Sequence, residues 1–251
     1  VNISGNTILV TGGTSGIGRA LAESLNDAGN CVIVSGRRQS LLDEVTAGRE
    51  HMHGVLVDVT DPGSVTALAQ KVRTDFAGLN VLIANAGISR PENLLDEAWT
   101  PDDAEAMVST NILGVIRVTG ALLPVMANQS EATLIATSSD LAFIPMAAFP
   151  TYCATKAFLH SWLQSARHQL RRAGVEVIEL SPPYVQTELT GARQASDPRA
   201  MPLGSYVAYV MDCLAEKNLP RGELLLNDAS GRRFAERNGV YEAMFAAMNS
   251  R

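Results

Sequence analysis

Thr7-Ile-Leu-Val-Thr-Gly-Gly-Thr-Ser-Gly-Ile-Gly18 is the stretch that decides the fold. Thr7 to Thr11 is a short apolar run that reads as a buried strand and leads directly into a glycine-rich turn. Beyond the turn Ile17, Ala20, Leu21, Leu25 and Ala28 recur at helical spacing, and Gly29 stops them. Strand, glycine turn and helix in that order suit a pyrophosphate. Gly12 permits the tight turn, Gly16 lets backbone approach the phosphates, and Gly18 lets the helix pack on the strand, with Thr14, Ser15 and Ile17 filling the loop. The helix N-terminus offers unpaired N–H groups and the positive end of its dipole. An ordinary glycine turn is the alternative, and the strand-turn-helix context favours the phosphate.

Working outward, apolar strands are expected at 31–35, 54–58, 79–84, 132–137, 175–180 and 223–226. Helical patterns fall between them, at about 39–46, 61–76, 102–126, 151–172 and 202–216, with Asp61-Pro62 as N-cap and first helical residue of the second. Strands that are apolar throughout are buried on both faces, and their alternation with helices means right-handed crossovers. The expectation is an α/β chain, a single domain over residues 1–251 built on one doubly wound parallel sheet of about seven strands with helices on both faces. Ligands of such sheets bind at the carboxyl ends of the strands. That directs attention to residues 12–18, 36–37, 58, 85–87, 138–139 and the segment after Leu180.

Composition bounds the partners. Lys and Arg together number 20 against 26 acidic residues, for a net charge of −6 and a pI near 5.3. No electrostatic footprint for nucleic acid or an anionic membrane is present. The chain is 46% hydrophobic and 18% charged, which excludes disorder. The 3 Cys (Cys31, Cys153, Cys213) form no CxxC pair, so neither a disulfide framework nor a zinc site is expected, and a reducing cytoplasm fits. No targeting segment is read at the N-terminus, and the apolar stretches look short of the ~20 residues a membrane span needs. The four His (His51, His53, His160, His168) make no ligand pattern and read as structural or solvated, so no metal is expected.

The end of the second strand bears on cofactor choice. A carboxylate there would bond both ribose hydroxyls and repel a 2′-phosphate. The chain instead reads Gly36-Arg37-Arg38, and a guanidinium grips a phosphate with two parallel bonds. NADP(H) is therefore favoured over NAD(H), with Ser15 and Arg19 as further candidates; a solvated helix start is the alternative for Arg37 and Arg38. Asp58 would accept from an adenine amino group, or else cap a turn.

Tyr152-Cys-Ala-Thr-Lys156 sets a phenol and an ammonium four residues apart, on one face of a helix. A free phenol titrates near pH ~10, and a neighbouring Lys⁺ is expected to lower that value and fit Tyr152 for general acid–base work. Ser139 ends a strand and would hydrogen-bond the substrate oxygen. Asn111 lies inside a long helix among apolar neighbours and needs a partner, either a water relayed to Lys156 or local helix packing.

Thr-Gly-x-x-x-Gly-Ile-Gly (11 to 18), Asn-Ala-Gly (85 to 87), Asn111, Ser139 and Tyr152-x-x-x-Lys156 resemble the short-chain dehydrogenase/reductase family, in order and spacing, from about residue 5 to residue 190. The resemblance implies a Rossmann-like fold and a catalytic tetrad. Tyr152 would be the acid/base, with Lys156 tuning it and bonding the nicotinamide ribose. Ser139 would orient the substrate oxygen, and Asn111 would anchor a proton-relay water. It also implies cofactor contacts from Val59, Asn85, Ala86 and Gly87, and from Pro182, Val185 and Thr187 after the sixth strand. A homodimer or homotetramer is implied too.

Two departures stand out. Pro183 replaces the family's usual Gly after the sixth strand, and Asn227-Asp-Ala-Ser-Gly231 with a helical tail replaces its usual Gly-Gly ending. Both, with the opening Gly5-Asn-Thr-Ile-Leu-Val-Thr-Gly-Gly13, are similar to the DltE-like branch of the family. The substrate wall is expected from Leu141, Phe143, Ile144, Met146 and Phe149, then Pro183, Tyr184 and Leu189, with a polar lid within about 184–205. Ordinary core is the alternative for these apolar side chains. The leading expectation is an NADP(H)-dependent oxidoreductase interconverting a small-molecule carbonyl and an alcohol. A non-catalytic cofactor sensor or scaffold on the same fold is the alternative.

Overall fold

The computed structural model describes residues 2–217, 219–226 and 231–250. Seven strands, β1 (Thr7–Thr11), β2 (Cys31–Gly36), β3 (Met52–Leu56), β4 (Leu79–Ala84), β5 (Ala132–Thr137), β6 (Val175–Ser181) and β7 (Glu223–Leu225), form one sheet. Their order is β3-β2-β1-β4-β5-β6-β7 and every neighbouring pair is parallel. The helices are α1 (Gly16–Asp27), α2 (Gln39–Thr46), α3 (Pro62–Asp75), α4 (Asp102–Val108), α5 (Gly114–Met126), α6 (Pro150–Leu170), α7 (Ala192–Ala195), α8 (Leu203–Glu216) and α9 (Tyr241–Met248).

Successive strand residues point to opposite faces, so each strand feeds two cores. Leu9, Ile33, Leu82, Leu134 and Val177 pack with Leu68 of α3, Leu122 of α5 and Leu159 of α6. Ile8, Val32, Ile83, Ile135 and Ile178 pack on the other side with Leu21 of α1, Leu42 of α2 and Tyr206 of α8. A fully buried Leu or Ile contributes about 1.5–3 kcal/mol, so these two layers dominate the stability. The chain lays β2 and β3 to one side of β1, then returns to set β4 on the other. That reversal opens a crevice at the carboxyl ends of β1 and β4.

Three expectations need correction. The third strand starts two residues earlier than its pattern suggested, at Met52 rather than Gly54. Gly54 sits mid-strand beside Val34, where a Cβ would come 3.2 Å from the Leu42 Cβ; its bareness serves helix packing, not a strand start. The helix over 102–126 is not uniform: Ser109–Leu113 is a π-helical turn with Asn111 buried within it. The segment is also long and apolar enough, by length and composition, to cross a membrane, which the sequence reading did not foresee. Met107, Val115, Val118 and Leu122 are buried in the protein, while Val108 and Leu113 stay exposed.

The polar segment after β6 carries α7. Gln194, buried, donates to the Val185 carbonyl (2.8 Å) and to Thr187 Oγ1 (3.1 Å), and accepts from Thr190. Of the unusual C-terminal stretch, residues 227–230 and Arg251 lie outside the described residues.

Candidate active site

A cleft of about 730 Å³ opens where the sheet topology puts it. Gly12, Thr14, Ser15, Gly16 and Ile17 line its phosphate end; Arg37, Arg38, Asp58 and Val59 line one side; Asn85, Ala86 and Gly87 line the crevice; and Tyr152, Lys156, Pro182, Thr187 and Leu189 line the other end.

The glycine loop is bare for a reason. Gly12 has φ +65°, and a Cβ on it would stand 2.8 Å from the Ala86 Cα. Gly18 does not line the cleft; a Cβ there would come 2.4 Å from the Gly12 carbonyl oxygen, so it sets the approach of α1 to the turn. No side chain caps α1 and no acid lies in its first turn, which leaves its N-terminal N–H groups for an anion.

Arg37 and Arg38 are exposed on the cleft rim, and among the described residues neither guanidinium has an ion-pair partner. Arg19, proposed beside them, is already engaged by Glu23 (2.9 Å) and Glu44 (2.6 Å). Asp58 Oδ1 accepts from the Thr60 N–H (2.9 Å) and hydroxyl (2.7 Å). Burial pushes its carboxyl up, but the Thr60 bonds and the Arg37 charge outweigh this and hold it below the usual range. Asp58 thus closes a turn, as one sequence alternative had it, and also lines the cleft.

Asn85 ties the crevice together. Its N–H donates to Thr11 Oγ1 (3.1 Å) and its Oδ1 accepts from the Thr137 hydroxyl (3.2 Å), which links β1, β4 and β5 at their carboxyl ends.

Tyr152, Lys156 and Ser139 are all buried, and Ser139 lies close enough to Tyr152 to bear on its phenol. Ser139 Oγ also accepts from the Leu141 N–H at 3.2 Å. Lys156 Nζ donates to the Thr137 carbonyl at 2.8 Å and lies 5.6 Å from the centre of the Tyr152 ring. Burial brings the Lys156 ammonium down to about 8. Burial also pushes the Tyr152 phenol up, against a smaller lowering from Ser139. The net direction is upward where a lowering was expected, because desolvation outweighs the Ser139 influence.

For Asn111 the side chain follows the packing alternative. Its Oδ1 accepts from the Ile88 N–H (2.9 Å), and its Nδ2 donates to the Ile88 carbonyl (2.9 Å) and Thr155 Oγ1 (3.1 Å). The Thr155 hydroxyl in turn donates to the Tyr152 carbonyl at 2.7 Å. The amide is therefore spent on packing the π-turn against the loop after β4 and against α6.

The expected substrate wall divides. Leu189 lines the cleft; Leu141, Met146 and Phe149 pack around Tyr152, Cys153 and Met107. Phe143 meets the His160 ring edge-on at 5.0 Å. Pro183 is half-buried off the cleft, Val185 and Ile144 are core, and Tyr184 is exposed with its hydroxyl on Asp197 (3.2 Å). The backbone turn that places Pro182 and Thr187 in the cleft directs these neighbours elsewhere.

His160 takes the structural alternative: it meets Glu179 at 2.8 Å and lies with Glu179 and Glu223 in one cluster. Glu179 also accepts from the Ser138 hydroxyl (2.6 Å), and Glu223 pairs with Arg233 (3.2 Å). Sequence reasoning passed over Ile88, Arg90, Thr110 and Glu188 as cleft residues. All follow residues it had singled out or flank them, but none carries a composition signal of its own.

Comparison with known proteins now bears on this geometry. Residues 6–198 match the family described as short chain dehydrogenase. The chain is 35% identical to the uncharacterized oxidoreductase DltE of Bacillus subtilis over 256 residues, which covers 100% of this chain and 99% of that protein. The chain belongs to the short-chain dehydrogenase family.

An uncharacterized oxidoreductase of Staphylococcus saprophyticus is 34% identical to this short-chain dehydrogenase over 212 residues, 79% of this chain and 88% of that protein. A solved short-chain dehydrogenase of Streptomyces avermitilis superposes with TM-score 0.82 at 26% identity, covering 95% of each chain. One from Burkholderia cenocepacia, solved with NADP, superposes with TM-score 0.83 at 24% identity over 98% of this chain and 99% of that one, a likeness of fold. Like its relatives, this short-chain dehydrogenase is an oxidoreductase, of a family that binds a nicotinamide cofactor and acts on small molecules. The residues present fit that group: the bare glycine turn, the uncapped α1 N-terminus and the rim guanidiniums would hold its phosphates.

Proposed function

We propose that this short-chain dehydrogenase is an NADP(H)-dependent carbonyl reductase, interconverting a ketone or aldehyde with an apolar or aromatic substituent and the corresponding alcohol. The observation that carries the reading is buried Tyr152 with the Lys156 ammonium at one end of the cleft, and buried Ser139 next to the phenol. Two neighbouring hydroxyls mark the spot where a carbonyl oxygen would accept from both. A bound nicotinamide would supply the hydride for the carbonyl carbon. Tyr152 then gives its proton to the oxygen, and Ser139 holds that oxygen while negative charge grows on it. Lys156, fixed on the Thr137 carbonyl, keeps a positive charge near the phenolate left behind.

Support for NADP(H) is local: the missing acid after β2, and Arg37 and Arg38 on the rim with no ion-pair partner among the described residues. Exposed Val108, Leu113 and Phe158 on α4, the π-turn and α6 fit a dimer through these helices, which light scattering tests. The deciding assay is oxidation of NADPH and of NADH with a panel of aliphatic and aromatic ketones and aldehydes. Turnover, better with NADPH, supports the reading. Tight cofactor binding with no turnover across the panel supports the sensor or scaffold instead.

A further inference from the structure

The loop between Ser139 and Tyr152 is tied at three points to the C-terminal arm, residues 231–250. Asp140, directly after Ser139, is buried; its Oδ1 accepts from the Ser139 hydroxyl at 3.4 Å, and its Oδ2 is ion-paired with Arg232. The Asp140 N–H is fixed on the Pro182 carbonyl at 3.0 Å. Arg233 pairs with the buried Glu223 through two contacts of 3.2 Å and lies 5.3 Å from the Phe143 ring centre. At the far end Asn249 accepts from the Ala147 N–H (2.6 Å) and donates to the Pro145 carbonyl (3.2 Å).

A buried carboxylate needs a cation, and its neighbours feel the difference. Left alone, Asp140 would hold the Ser139 hydroxyl to itself and oppose negative charge growing on a nearby substrate oxygen. Paired with Arg232, the same carboxylate holds the Ser139 proton less firmly, so the hydroxyl is free to turn to the substrate oxygen, and its charge no longer opposes that oxygen's. We propose that Arg232 and Asp140 are a positioning pair for Ser139, and that the C-terminal arm latches the substrate loop in cis. The proposal rests on the carbonyl-reductase reading for its effect on turnover, but the latch itself does not.

The test uses the full chain loaded with NADPH and the variants R232Q, R232K, D140N/R232Q and N249A. Arg232→Gln is expected to lower kcat at least about tenfold with the dissociation constant for NADPH unchanged. Arg232→Lys restores part of kcat, and the double variant recovers relative to R232Q because a neutral amide needs no cation. Amide hydrogen exchange over residues 141–149 is expected to speed up in R232Q and N249A while the β1–α1 region stays protected. Wild-type kcat in R232Q, or no gain in the double variant, overturns the positioning role. Unchanged exchange of the loop in both R232Q and N249A overturns the latch. If the wild type reduces no carbonyl, the carbonyl-reductase reading falls and the positioning role falls with it, while the exchange comparison still decides the latch.

Discussion

Lys156 Nζ donates to the Thr137 carbonyl at 2.8 Å, so the buried ammonium is anchored to the last residue of β5, two positions before Ser139. The contact fixes α6 against the strand end that carries the serine. It does so at a cost, because burial brings Lys156 from 10.5 down to about 8. A shift of that size corresponds to about 3 kcal/mol of destabilisation while the group is charged. Between pH 8 and 10.5 the unfolded chain holds more protons than the folded one, so wild-type stability from this group rises with pH across that window. Lys156→Met removes the charge and forfeits the Thr137 bond, worth about 1 kcal/mol. The expected result is a Tm raised by a few degrees at pH 7, with the advantage fading toward pH 10.5, and turnover lost. Thermal unfolding across pH, beside a turnover assay, checks it.

Arg37 stands on the cleft rim without an ion-pair partner among the described residues. A charge-assisted bond to a 2′-phosphate is worth about 1.5–3 kcal/mol. Arg37→Ser should therefore raise KM for NADPH by about 10–100-fold and leave KM for NADH nearly unchanged. An equal change for both would locate Arg37 outside the 2′-phosphate site.

Gly12 combines φ +65° with a Cβ position only 2.8 Å from the Ala86 Cα. Gly12→Ala adds left-handed strain and a backbone clash, expected to cost about 1–3 kcal/mol. The variant should show a lower urea midpoint and weakened cofactor binding, because Ala86 and the turn it meets both line the cleft.

The parallel sheet and its crevice were legible because periodicity and glycine placement are local: Thr7 to Gly18 carries strand, turn and helix in twelve residues. The cleft positions of Tyr152, Lys156 and Asp58 followed from helix spacing and strand ends. What escaped the sequence depends on long-range geometry. The π-turn at Asn111 exists because the Ile88 backbone, 23 residues away, takes both ends of the amide. Tyr184 and Phe143 read as pocket walls, but Asp197 and His160 claim them. The sign of the Tyr152 shift turned on burial, which no spacing reveals.

The central claim is that the Tyr152 hydroxyl passes the proton in carbonyl reduction. Tyr152→Phe keeps the ring within its apolar surroundings and removes only the hydroxyl. Single-turnover NADPH oxidation with a reducible ketone, together with NADPH binding measured by fluorescence titration, tests it directly. The account predicts a rate lowered by about 10²–10⁴-fold with the dissociation constant unchanged. A variant that oxidises NADPH at the wild-type rate would contradict it.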